Sequence, residues 1–147
     1  MPASGRRRTS SNRVRTTGYR RLGRLTTEDI LEIHRGAAST GETWDFGIRE
    51  AGSLHTLVER VRAMAREGRR PEEIASAALV FIVREHPFWD ANHRTGFEMA
   101  QVILRAFGGR VRAPRREVER YVRAVDAEGL TEEEVAAWIR NRVKPLR

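Results

Sequence analysis

Beyond residue 24, apolar residues recur three and four positions apart through most of the chain, the spacing of helices with one buried face. Leu25-Thr-Thr-Glu-Asp29 predicts the first helix start. Thr26 suits an N-cap, Asp29 stands at the reciprocal capping position, and apolar Ile30, Leu31 and Ile33 follow. This helix is expected to run to about Ala38. Thr40 to Gly52 then breaks the pattern, with three glycines and with Trp44, Phe46 and Ile48 at alternating positions. It reads as a loop, or flap, containing a short extended piece. Ser53 is expected to cap a second helix, in which Leu54, Leu57, Val58, Val61 and Met64 share a face, and Gly68 to end it. Pro71 suits a first helical position, with Glu72 and Glu73 favoured at the positive helix end. The run Ile74 to Val83, apolar but for Ser76, predicts the central, buried helix. After a loop at Pro87 to Asn92, a fourth helix is expected from about His93 to Phe107, stopped by Gly108-Gly109. Val118, Tyr121, Val122 and Val125 mark a fifth. Thr131 and Glu134 form a capping box opening a sixth, which buries Val135, Trp138 and Ile139. With no internal repeat and little sign of a sheet, the pattern predicts an all-α protein.

Size and composition agree with a single folded domain. The 147 residues are enough for one substantial core, and 39% apolar with 33% charged residues is a soluble globular balance. The longest apolar run is about half of what a bilayer crossing requires, so no membrane association is expected. There is no cysteine, which excludes disulfides, a thiolate nucleophile and cysteine-rich metal sites; a reducing, cytoplasmic setting is the simplest expectation.

Charge changes the picture at one end. The formal net charge is +8. Residues 1–24 hold Arg6, Arg7, Arg8, Arg13, Arg15, Arg20, Arg21 and Arg24 and no acid, so this stretch carries the whole excess. From Leu25 onward basic and acidic residues cancel, and the body has no net electrostatic claim on a polyanion. The chain therefore divides into a basic extension over 1–24, expected to be disordered, and a domain over 25–147. The extension could dock on RNA or an acidic partner, or simply remain solvated.

The stretch His86-Pro-Phe-Trp-Asp-Ala-Asn-His-Arg94 interrupts two apolar helices with polar side chains. A loop that delivers Asn92, His93 and Arg94 to the start of a helix offers main-chain N–H groups, a favourable dipole and a guanidinium fork, which suit a phosphate. His86 can accept a proton near neutral pH, and Asp90 offers a hard oxygen for a metal. Plainer roles exist for each: a histidine favoured at a helix C-terminus, an Asp and an Asn bonding their own loop, an arginine at the surface. His86, Asp90 and His93 could also share one metal ion. Of the adjacent aromatics, Phe88 is expected to point into the core and pin the loop. His34 and His55 read as structural, and Trp44, Phe46 and Trp138 as core or flap anchors.

The pattern His86-x-Phe88-x-Asp90-Ala91-Asn92-x-Arg94 resembles the active-site motif of the Fic/Doc family. The likeness extends to Thr26–His34, which resembles the family's opening helix, and to Gly47-Ile48-Arg49 with Gly52 and Leu54, which resembles the region after the Doc flap. It implies an all-α, single-domain Fic/Doc-like helical bundle. In it His86 would take a proton from a target hydroxyl, Asp90 would hold Mg2+ on the phosphates of ATP, and Asn92, His93 and Arg94 would bind phosphate oxygens. The flap residues Trp44, Asp45, Phe46, Gly47 and Ile48 would align a target segment by main-chain pairing. Family members that transfer AMP usually have Gly after the Asn and a second Arg three residues past the first, where this chain has His93 and Phe97. The Asp-Ala-Asn core and the missing second Arg resemble Doc, a toxin that phosphorylates a translation elongation factor. Doc, however, has Lys where His93 stands. The resemblance thus implies a phosphotransferase toxin acting on a translation factor, with AMP transfer or a non-catalytic module as alternatives. No Ser/Thr-x-x-x-Glu-Gly/Asn self-inhibitory motif is present, which implies a separate antitoxin chain as partner.

Overall fold

The apolar run Ile74–Val83 is the axis on which the other elements pack. In the computed structural model, which describes residues 2–42 and 45–146 with side chains from Asn12 onward, the run lies in α4 (Pro71–Glu85). Ile74 through Val80, with Ile82 and Val83, are all buried there, as expected of a helix that is apolar on every side. Pro71 occupies its first turn. Along it run α5 (Asn92–Ala106), α3 (Ala51–Arg66), α6 (Arg115–Ala127) and α7 (Glu132–Arg140), while α2 (Thr27–Ala38) lies against α5 and α3. Gly96 sets the approach of α5 to α4, because a β-carbon there would come within 3.0 Å of Val83 Cγ2 and 3.3 Å of the Leu79 carbonyl. The all-α expectation holds. The described residues form seven helices and one two-stranded sheet, and no helix among them is long and apolar enough to cross a membrane.

The capping expectations hold for α2 and α7, where Thr26 with Asp29, and Thr131 with Glu134, bond reciprocally. α3 ends in a Schellman arrangement at left-handed Gly68, with Gly68 N–H donating to Ala65 and Arg69 N–H to Met64. Its start differs from expectation. The N-cap is Glu50, without a side-chain cap, rather than Ser53. The Arg49 and Glu50 N–H groups both donate to the Pro87 carbonyl, so the chain leaving the flap is already fixed and turns into helix at once. α5 begins at Asn92 and ends at Ala106, each a residue earlier than expected.

Two features lie at the ends of the chain. The basic stretch is traced as α1 (Pro2–Leu22), whose last turns join the body. Leu22 is buried, Tyr19 meets Phe107 edge-on at 4.8 Å, and the Tyr19 hydroxyl donates to the Arg69 carbonyl at 2.7 Å. Apolar Tyr19 and Leu22, three apart, give this end a face to bury that the arginine-rich composition obscures. The second, not anticipated from the pattern, is a small antiparallel sheet of β1 (Gly109–Val111) and β2 (Val143–Pro145), pairing Arg110 with Lys144. Gln101 supports it, its side chain accepting from Val111 N–H and donating to the Val111 carbonyl.

Candidate active site

The loop between α4 and α5 is built from main-chain geometry outward. His86 caps α4 in the left-handed region, with φ 49°, and Ala91 caps the start of α5 with φ 62°. Between these turning points Phe88 dives into the core and is 1% exposed, whereas neighbouring Trp89 is 60% exposed, as the sequence reading of this pair expects. Beneath Phe88 lies buried His34, its ring stacked at 3.7 Å and 4°. His34 Nε2 donates to the Asp90 carbonyl at 3.0 Å, so this structural histidine also supports the loop. His55 is exposed on α3.

Asn92 closes the loop from inside. Its Oδ1 accepts from Phe88 N–H at 3.1 Å and its Nδ2 donates to the Phe88 carbonyl at 2.9 Å, both buried. Those bonds hold the start of α5 in place, so the Asn92 side chain is spent on shaping the loop. His93 and Arg94 follow on the first turn, where helix geometry leaves main-chain donors without intrahelical partners. The Asp90 carboxylate accepts from Ala91 N–H at 2.7 Å.

His86, Asp90, Asn92, His93 and Arg94 all line one cleft of about 1220 Å³ between α2, α5 and α6. Phe97, Val102, Val118 and Val122 add an apolar wall, and Arg115 and Arg123 stand on the α6 side. A single carboxylate fits magnesium, which takes one or two protein carboxylates and otherwise substrate phosphates and water. A three-ligand centre from His86, Asp90 and His93 is not formed: no group of three or more His, Cys, Asp or Glu among the described residues is arranged to hold a metal. Nε2 of both histidines faces Asp126 instead, at 3.6 Å from His86 and 3.1 Å from His93.

The flap lies alongside this loop. Ile48 bridges Phe88 in antiparallel fashion, and Trp89 N–H donates to the Gly47 carbonyl at 3.2 Å. Asp45 turns the flap by accepting from Gly47 N–H at 2.8 Å. Phe46 is 52% exposed and meets the His34 ring edge-on at 6.5 Å, so of the two roles expected of it, core or flap anchor, it does not take the core one; Trp44 lies outside the described residues. Trp138 does pack, stacked on Tyr121 at 4.1 Å with the Arg142 guanidinium over its ring.

Arg49, quoted above only within the family resemblance and given no role there, reaches the loop. Its guanidinium donates to the carbonyls of His86, at 2.7 Å, and Glu85, at 2.6 Å. These are orphan acceptors of the last turn of α4, and filling them fixes the left-handed conformation of His86 and ties it to the flap. A lone arginine immediately after the extended piece was the available signal.

An all-helical bundle with a His-to-Arg loop opening on one cleft is the architecture of a known class. The sequence model of the Fic/DOC family matches residues 24–104, more than half of the chain, and the protein belongs to that family. Members are typically transferases that act on proteins. No curated protein matches the chain.

Proposed function

We propose that this protein is a Doc-like phosphotransferase, moving a phosphate from ATP to a Ser or Thr hydroxyl of a translation elongation factor as the toxin of a toxin–antitoxin pair. The observation that carries this reading is the convergence of His86, Asp90 and the first turn of α5 on one cleft. His86 takes the proton of the target hydroxyl as that oxygen bonds to the γ-phosphorus and ADP leaves. Arg94, the α5 N-terminus and His93 receive the phosphate oxygens, held in register by the Asn92–Phe88 bonds. Asp90 is the residue to hold Mg2+, which when bound neutralises phosphate charge. Positioning and charge neutralisation carry most of phosphoryl transfer, so this set is sufficient.

The choice of phosphate over AMP rests on position 97, where the cleft is lined by Phe in place of the second arginine usual in AMP-transferring members. The exposed flap edge around Phe46 and Ile48 is where a target segment would lie beside the loop. The test is mass spectrometry of elongation factor Tu after incubation with the protein, magnesium and ATP. A gain of one phosphate, lost with His86→Ala while the fold persists, is the expected outcome. A gain of AMP would overturn the reaction type, a fully active His86→Ala would overturn the base, and failure to bind ATP would leave a non-catalytic module.

A further inference from the structure

α6 carries a carboxylate where its pattern calls for an apolar side chain. Val118, Val122 and Asp126 follow one another four apart on a single face, and Val122 and neighbouring Val125 are buried. The face turns toward the α4–α5 loop. There Asp126 Oδ2 lies 3.1 Å from His93 Nε2, within hydrogen-bond reach, and 3.6 Å from His86 Nε2. The two imidazoles meet edge-on, 6.3 Å apart at 71°. One oxygen thus serves both rings. All three side chains are more than a third exposed, and ion pairs so exposed add little to stability, which leaves the placement of this carboxylate in need of another reason.

We infer that Asp126 is a positioning residue for the active-site histidines, holding His93 directly and His86 through the shared carboxylate oxygen. This deepens the phosphotransfer reading and, for its catalytic consequence, rests on it. Arg49 fixes the His86 main chain, but a fixed main chain leaves the ring free to rotate about χ1 and χ2. A carboxylate beside Nε2 restricts that rotation and gives the imidazolium a counter-charge once His86 has taken the target proton. A base oriented by a third group is a recurring arrangement in acid–base sites. It also accounts for His93 where Doc has Lys: an imidazole can bridge Asp126 and the rim of the phosphate cradle.

The test uses the full chain as Asp126→Asn and Asp126→Glu, with two readouts. The first is NMR of the 15N-labelled imidazoles without nucleotide, His86 and His93 being assigned by single replacement. The second is steady-state transfer to elongation factor Tu with magnesium and ATP. Asp126→Asn is expected to shift both imidazole signals and to lower kcat about tenfold, with KM for ATP within about twofold. Asp126→Glu keeps the charge and is expected to retain more activity than Asn. Unmoved imidazole signals overturn the inference whatever transfer does, and moved signals with unchanged kcat overturn the positioning role. If the wild-type chain transfers nothing, the phosphotransfer reading fails on its own. The imidazole signals then still decide whether Asp126 holds the two rings.

Discussion

The loop from His86 to Ala91 and the flap from Asp45 to Glu50 are neighbouring irregular segments, and they are held in opposite ways. The loop is anchored from within by Phe88, closed by Asn92, supported by His34 and caught at its first residue by Arg49. The flap is attached to the loop mainly through main-chain bonds, to Pro87 and Trp89, and turns Phe46 and Ile48 outward. The contrast suggests a division of labour. On the proposed function, chemistry that tolerates little misplacement would sit on the segment over-determined by side chains, and recognition on the one that presents an edge and apolar surface.

Three interventions probe this contrast, in falling order of effect. Removing the loop's anchor with Phe88→Ala is expected to cost about 3–5 kcal/mol in urea unfolding, as for other buried aromatics, and to abolish transfer. A cost comparable to a surface substitution would show that the loop does not depend on its core residue. The second is acidification. Burial pushes His34 below its ordinary 6.5. As pH falls, the unfolded chain takes up this proton before the folded one, so His34's contribution is complete above its unfolded value and is lost as pH drops below it toward the folded value. The urea midpoint should therefore fall with acidification from about pH 7 to 5, and His34→Gln should flatten that slope. A slope unchanged by the substitution would remove His34 as its source. The smallest effect is expected at the flap. Ile48→Ala should change stability by no more than about 0.5 kcal/mol, while raising KM for the elongation factor and sparing kcat. A large fall in stability would mean that the flap is as firmly built as the loop.

Much of the frame could be read from residue pattern because the signals were local. Capping at Thr26 and Thr131, the stop at Gly68, the proline opening α4 and the inward choice of Phe88 over Trp89 each depend on neighbours a few positions away. Ser53 misled because a cap residue was present, but the chain had already been fixed upstream by the Pro87 carbonyl. The β1–β2 sheet escaped notice because three-residue strands are too short to show alternation. The site was half visible. The loop motif named His86, Asp90, Asn92, His93 and Arg94, but Arg49 and Asp126 reach the loop across 37 and 40 positions from His86, a distance at which pattern carries no pairing information. Asp126 did leave a trace, as a charge interrupting the Val118–Val122 stripe.

The two turning points of the loop are left-handed residues that carry a β-carbon. Glycine would make the same turns with less strain, yet it would open mirror-image conformations to the segment. With histidine and alanine there, the wrong shapes are costlier as well as the right one. The loop therefore stores part of its form in the main chain itself, as a bend that the side-chain anchors Phe88, Asn92 and His34 then lock. That bend is what aims His86 and the head of α5 at one point of the cleft.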